Sequence, residues 1–163
     1  SLTLPKTGWK QNMFRGLHNV NMDAKGRLAI PSKYREQLIA LSAGRLVVTV
    51  DVEDRCLLVY PAPEWEIIEK KIEALPSFNS HSRRIQRLLI GHATDLELDA
   101  NGRILLSQPL REYAQLEKET VLMGQGKKME LWSKSVWEDC RDQYLSGEES
   151  DDPIPEGLLE LSL

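Results

Sequence analysis

The sequence predicts an α+β fold made by tandem duplication, in which two copies of one short unit form a pseudo-dimer within a single chain. The segment "DAKGRLAIPSKYRE" from Asp23 returns as "DANGRILLSQPLRE" from Asp99. Farther on, "YPAPEWE" from Tyr60 returns as "WSKSVWE" from Trp132. Each copy combines short alternating apolar segments with one short helical pattern. A unit of this length cannot close a hydrophobic core alone, so we expect the two copies to fold together.

Each unit begins with a half-buried strand, a tight turn and a return strand, which together predict a hairpin. Asp23 at the first position of the turn and Gly26 at the fourth are typical of a type I turn followed by a left-handed residue. Asp99 and Gly102 repeat this arrangement in the second unit. Glycine suits the fourth position because a positive φ carries no Cβ penalty there. We therefore predict that Gly26 and Gly102 are turn-forming residues.

The rest of each unit predicts a short helix followed by two more strands. Ser32 is a candidate N-cap for the first helix, and Pro109 is tolerated at the start of the matching one. The strands are expected at "RLVVTVDV" and "CLLVYP", and at "TVLMGQ" and "MELW". Two amphipathic helices, "EWEIIEKKIEAL" and "SRRIQRLLIG", link the copies, and Gly91 ends the second.

These elements divide the chain into five segments. The non-periodic start is interpreted as a leader added to the natural protein, and an acidic tail, at least partly mobile, follows the last tryptophan. The predicted bounds are 1–12 for the leader, 13–65 for the first unit, 66–92 for the linking helices, 93–137 for the second unit and 138–163 for the tail.

Charge is distributed unevenly along the chain. The formal net charge is −4, yet residues 13–50 carry six Lys/Arg against two Asp/Glu, and residues 115–163 carry five against twelve. A basic front and an acidic rear suit binding of a polyanion on one side. The alternative is a solvated surface of uneven charge. Three further arginines on the second linking helix are weaker candidates for phosphate contacts: Arg83, Arg84 and Arg87.

Several function classes find no support in the sequence. No apolar run approaches the roughly 18 residues of a membrane span, and no secretory signal pattern occurs. Cys56 and Cys140 form no CxxC pair, which fits a reducing cytoplasm. No GxSxG, P-loop or HExxH motif is present, so we expect no enzyme activity and no cofactor or metal. The acidic turn 51–54 lacks EF-hand spacing.

The repeated Asp-x-x-x-Arg pattern leaves two interpretations open. Asp23 and Arg27 flank a tight turn, so they could simply pin its base, as an exposed ion pair worth about 0–1 kcal/mol. Alternatively, the turns could present Lys25, Arg27 and Arg103 to DNA, because guanidinium groups suit phosphates and the edge of guanine. The two interpretations are compatible, since an aspartate can orient an arginine that contacts a base.

The doubled motif, together with "MFRG", "CLLVYPAPEWE" and "RRIQRLLIGHA", resembles the MraZ family of bacterial regulators. The resemblance runs from Met13 to about Trp137. It implies an AbrB/SpoVT-like swapped-hairpin β-barrel with two linker helices, which assembles into a ring. It also implies a nucleoid-associated regulator that binds short G-rich direct repeats of double-stranded DNA upstream of the division and cell-wall gene cluster.

The resemblance maps the DNA-contacting motif of that family onto Asp23–Arg27 and Asp99–Arg103. Lys25 fills the basic position of the first motif, whereas Asn101 replaces it in the second. We therefore expect Arg27 and Lys25 to contribute more than Arg103. Two alternatives remain: an antitoxin-type protein of the same fold that binds a toxin partner, and a purely structural ring.

Overall fold

The computed structural model describes residues 13–147 and 150–163, so the leader predicted at 1–12 lies outside the described residues. The first repeat contains β1 (Phe14–Asn21), β2 (Arg27–Ala29), α1 (Ser32–Ser42), β3 (Arg45–Val50) and β4 (Leu57–Pro61). Two linking helices follow: α2 (Ala62–Glu73) and α3 (Ser80–Ile85), the latter continuing as a π-helical turn over Gln86–Ile90. The second repeat contains β5 (Thr94–Glu97), β6 (Arg103–Leu105), α4 (Gln108–Tyr113), β7 (Glu119–Gly126) and β8 (Met129–Ser133). It is followed by α5 (Lys134–Leu145) and α6 (Glu156–Leu159).

The two repeats share both of their sheets. A six-stranded antiparallel sheet has the order β1-β7-β8-β4-β3-β5, and β2 pairs with β6 in a separate two-stranded ribbon. The first strand of each repeat pairs with the other repeat: β1 with β7, and β5 with β3. The structure is thus an α+β fold with a duplicated unit, as the sequence predicts.

The predicted hairpin at the start of each repeat is wrong in its pairing. β1 and β2 are joined by the expected turn, but only one bridge, Met22 to Leu28, connects the segments on either side of it. β1 continues along β7, while β2 turns away to lie beside β6. This arrangement brings Leu28 of β2 and Ile104 of β6 into one core, where each is 1% exposed. Burial of both apolar side chains favours the exchange over a local hairpin.

The main core is built from equivalent positions of the two repeats. Leu28 and Ile104, Ile30 and Leu106, and Tyr34 and Leu110 all belong to one buried cluster. The Tyr34 hydroxyl, which lies within this core, is 2.8 Å from the Arg15 carbonyl and 2.6 Å from the Gly16 carbonyl, and its single O–H donates to this pair. Its polar end is therefore satisfied although the ring is fully buried.

Two smaller clusters cover the opposite face of the large sheet. One contains Trp65 of α2, and the other contains Trp132 of β8 with Trp137 of α5 packed beside it. Trp65 and Trp132 are each 3% exposed, so both are core residues.

The start of α1 differs from the sequence-based prediction. Ser32 is the first residue of α1 rather than its cap; Pro31 occupies the cap position without a side-chain hydrogen bond. The segment predicted as a tail from 138 begins inside α5, which continues to Leu145. Among the described residues, no helix combines the length and apolar character needed to cross a membrane.

Candidate nucleic-acid interface

The turn between β1 and β2 is organised by the carboxylate of Asp23. Its Oδ1 accepts hydrogen bonds from the backbone N–H of Lys25 at 3.0 Å and of Arg27 at 2.8 Å. The Gly26 N–H donates to the Asp23 carbonyl at 3.0 Å, and Gly26 has the expected positive φ, +89°. The Asp23 side chain therefore stabilises the turn by hydrogen bonds to its backbone.

The second carboxylate oxygen of Asp23 orients Arg27. Arg27 Nε donates to Asp23 Oδ2 at 2.7 Å. The hydrogen bonds that the Asp23 carboxylate accepts, above all the one from the Arg27 backbone N–H, hold the pKa of this carboxyl below its ordinary value. Within the described chain, neither terminal nitrogen of Arg27 takes part in a hydrogen bond. Arg27 is thus held by its Nε while both terminal NH2 groups remain for a ligand, so the two interpretations of the motif are compatible.

The second repeat reproduces this turn almost atom for atom. Asp99 Oδ1 accepts from the N–H of Asn101 at 2.8 Å and of Arg103 at 2.9 Å, and Arg103 Nε donates to Asp99 Oδ2 at 3.0 Å. Gly102 has φ +72°. The pKa of Asp99 is lowered for the same reason, chiefly the Arg103 backbone hydrogen bond. The two turns differ in chemistry mainly by the exposed Lys25 of the first and the exposed Asn101 of the second.

The β2/β6 ribbon brings the two motifs onto one surface. In its register Arg27 lies opposite Leu105, and Ala29 lies opposite Arg103. These four residues share one face, since the intervening Leu28–Ile104 pair points into the core. The two arginines are consequently diagonal neighbours, offset by two residues or roughly 7 Å along the strands.

Ala29 and Leu105 also lie at the candidate site, although they are not among the residues predicted from the sequence. The sequence pattern that could have identified them is the alternation in "RLA" and "RIL": the central residue of each is apolar and points inward, so the two outer residues share the exposed face. Leu105 is 55% exposed, so the ribbon presents an apolar contact between its arginines. The major groove of B-DNA is wide enough to admit a two-stranded ribbon, and arginine and apolar side chains are residue types suited to guanine edges and thymine methyl groups.

Each turn is anchored on the opposite repeat. The Gly26 carbonyl accepts from the Leu106 N–H at 2.9 Å, and the Gly102 carbonyl accepts from the Ile30 N–H at 2.9 Å. The ends of the ribbon are therefore fastened by hydrogen bonds that cross between the repeats.

The weaker candidates lie elsewhere. Arg83, Arg84 and Arg87 are exposed on α3 and its π-helical extension, and Arg84 donates to the Val52 carbonyl at 2.8 Å. In the acidic turn, Asp51 Oδ2 accepts from the N–H of Glu53 and Asp54, which gives that carboxylate a backbone role. Cys56 and Cys140 are free thiols. No group of His, Cys, Asp and Glu side chains within 13–147 and 150–163 is arranged to hold a metal.

Comparisons with known proteins identify the family. A family model described as "MraZ protein, putative antitoxin-like" matches residues 13–88 and again residues 89–154. A protein of Legionella pneumophila (strain Corby) named "Transcriptional regulator MraZ" is 55% identical over 152 residues, covering 93% of this chain and 100% of that protein. Proteins of the same name from Coxiella burnetii (strain Dugway 5J108-111) and Marinomonas sp. (strain MWYL1) are 57% and 50% identical, with the same coverage. The chain belongs to the MraZ family.

Proposed function

We propose that this protein is a sequence-specific transcriptional regulator that binds double-stranded DNA through the outer face of the β2/β6 ribbon. Its operator would be the short G-rich direct repeats upstream of the division and cell-wall gene cluster, which makes it a nucleoid-associated protein of the cytoplasm. The name of its relatives, "Transcriptional regulator MraZ", supports the general role. No catalytic step, metal or cofactor is part of this proposal.

The observation that carries the proposal is the doubled Asp–Arg pair. Each aspartate holds the Nε edge of its arginine at 2.7 or 3.0 Å, and the terminal N–H groups have no partner among the described residues. A guanidinium held in this way can donate two parallel hydrogen bonds to O6 and N7 of guanine. Because the aspartate fixes the arginine before DNA arrives, less side-chain entropy is lost on binding.

Lys25 gives the first motif an additional phosphate contact. Its side chain is exposed at the tip of the turn, where the second repeat carries the neutral Asn101. We therefore assign the larger share of affinity to Arg27 and Lys25, and a smaller share to Arg103.

One ribbon offers few base contacts, so we propose that several copies act together in a ring. When one copy is bound, the next contact on the same DNA becomes intramolecular and adds about 10²–10⁴ in apparent affinity. Regularly spaced direct repeats match a row of identical ribbons. The excess of acidic residues in 115–163 would keep DNA on the ribbon side.

We further propose that the fold is an AbrB/SpoVT-like swapped-hairpin barrel. The reciprocal pairing of β1 with β7 and of β5 with β3 supports this assignment. The division into units 13–65 and 93–137, joined by 66–92 and followed by 138–163, is part of the same proposal.

The test is a salt titration of binding to the repeats upstream of the protein's own operon and to scrambled DNA of equal composition. We expect wild type to prefer the repeats at least about tenfold, which corresponds to about 1.4 kcal/mol. Arg27→Ala should lose that preference, while light scattering should show the same assembly as wild type. The matched control is Arg141→Ala on α5, because Arg141 is also exposed and paired with an aspartate, Asp142, at 3.2 Å.

Equal binding of wild type to both DNAs would refute the regulator proposal and favour a structural ring. Loss of assembly in Arg27→Ala would show that the arginine is structural. An antitoxin-type role has one supporting observation, the wording of the family description. Co-purification of the intact protein with a small basic protein would favour that alternative.

A further inference from the structure

We propose that Arg35 and Arg111 are positioning residues for DNA recognition and that each acts on the turn of the other repeat. Arg111, on α4 of the second repeat, would hold the Asp23–Arg27 turn. Arg35, on α1 of the first repeat, would hold the Asp99–Arg103 turn. This inference rests on the proposed DNA-binding function of the two turns.

The contact between Arg35 and Gly102 is very close. A Cβ added to Gly102 would lie 2.4 Å from Arg35 Nε and 2.6 Å from Cζ, so the guanidinium occupies the space a side chain would need. Arg35 Nη2 also donates to the Ile30 carbonyl at 3.2 Å. The same Ile30 donates its N–H to the Gly102 carbonyl at 2.9 Å. Arg35, Ile30 and the turn glycine thus form one connected unit.

Arg111 makes the equivalent contact with the first turn. A Cβ on Gly26 would lie 2.9 Å from Arg111 Nε and 3.1 Å from its Cδ. The Gly26 carbonyl is held by the Leu106 N–H, and Arg111 also borders a groove with Asp23 and Ala24. The glycine of each turn is therefore required twice: for its positive φ and for a close approach, of Arg35 at Gly102 and of Arg111 together with the Leu106 carbonyl oxygen at Gly26.

The charge of these two arginines is not neutralised locally. Within 13–147 and 150–163, neither guanidinium has a carboxylate within ion-pair distance. The Nε of each is buried without a hydrogen-bond partner in that part of the chain. A buried donor without a partner lowers the stability of the fold. We therefore attribute the position of each arginine to its contact with the turn rather than to a gain in stability. The two half-buried positive charges also favour the approach of a polyanion to the ribbon.

Each turn therefore depends on an arginine of the other repeat. Loss of Arg111 frees the turn that carries Arg27, and loss of Arg35 frees the turn that carries Arg103. Since Arg27 and Lys25 are expected to dominate binding, the Arg111 variant should be the more damaging of the two.

The test is a set of double-mutant cycles for DNA binding, measured on the full chain at low salt so that weakened variants still bind. Arg111→Met and Arg35→Met keep an unbranched stem over the glycine and remove the guanidinium. Each is combined with Arg27→Ala and with Arg103→Ala. Arg141→Met is the control for loss of an arginine elsewhere.

We expect Arg111→Met to lower the preference for operator repeats over scrambled DNA by about fivefold or more, a typical coupling for residues in contact. This effect should nearly vanish in the Arg27→Ala background and persist in the Arg103→Ala background. Arg35→Met should show the corresponding coupling to Arg103: a smaller effect, which nearly vanishes in the Arg103→Ala background. Binding to scrambled DNA should change far less, which a general loss of structure would not produce.

Additive effects in both backgrounds, or coupling to the arginine of the same repeat, would overturn the inference while the regulator proposal stands. If the Met variants do not fold, Arg111→Lys and Arg35→Lys go through the same cycles with the same expected pattern. If wild type itself shows no preference for the repeats, the proposed function fails first and the inference fails with it.

Discussion

Replacement of Gly102 by alanine tests the close contact at the ribbon directly. Gly102 has φ +72°, and a Cβ there would lie 2.4, 2.6 and 2.7 Å from Nε, Cζ and Cδ of Arg35. Alanine at this position would therefore adopt a backbone conformation that L-residues disfavour, and its methyl group would overlap the Arg35 side chain.

The two costs can be estimated separately. A non-glycine residue in the left-handed region costs about 1–2 kcal/mol. Overpacking by one methyl group adds about 1–3 kcal/mol, because Arg35 must move and risks its hydrogen bond to the Ile30 carbonyl. Gly102→Ala should therefore lower the free energy of unfolding by about 2–5 kcal/mol.

Urea unfolding followed by tryptophan fluorescence is a suitable assay, because buried Trp65 and Trp132 become exposed on unfolding. Two other glycines provide controls. Gly147 also has a positive φ, +82°, but no atom of the described residues lies within 4 Å of its added Cβ, so Gly147→Ala isolates the conformational cost. Gly157, without positive φ and without neighbours, should tolerate alanine or gain stability.

The expected order of destabilisation is Gly102→Ala, then Gly147→Ala, then Gly157→Ala. If Gly102→Ala costs no more than Gly147→Ala, the contact with Arg35 contributes nothing and the packing argument is wrong. Combining Gly102→Ala with Arg35→Ala should recover part of the loss, since the smaller side chain leaves room for the methyl group.

Two further predictions concern titratable groups. The folded pKa of Asp23 lies below its ordinary value of 3.8, so its carboxylate contributes stability above that pH and loses it as the pH falls through the folded pKa. The difference in unfolding free energy between wild type and Asp23→Asn should thus be constant above about pH 5 and shrink below about pH 4; a difference that grows on acidification would contradict the assigned hydrogen bonds. Burial raises the pKa of the Cys56 thiol, while Cys140 is half-buried, so a thiol reagent should modify Cys140 first in the native protein and reach Cys56 only on unfolding. Mass spectrometry of the modified peptides checks this order, and early labelling of Cys56 would contradict the burial.

Local chemistry was predictable from the sequence, whereas long-range pairing was not. The Asp-x-x-Gly spacing predicted both turns because an aspartate and a glycine satisfy that geometry within four residues. The partner of β2 could not be predicted, because the apolar face of "RLA" suits any strand that offers another apolar face. Only the folded chain shows that this partner is β6 and that Arg27 and Arg103 become neighbours. The contacts of Arg35 and Arg111 with the opposite turns were hidden for the same reason.

Fusion of two repeats in one chain also permits an asymmetry that a dimer of identical units would forbid. The two turns keep equivalent hydrogen bonds, yet one tip carries Lys25 and the other Asn101. The cluster around Trp65 also packs against residues of α3 and its π-helical extension, whereas the cluster around Trp132 has only α5 beside it among the described helices. The shared core requires both repeats, so each must keep its inward residues, while the exposed positions are free to diverge. Under the proposed function, base contact would therefore concentrate in the first repeat, while the second would supply the ribbon strand, the anchoring hydrogen bonds and the arginine that support it.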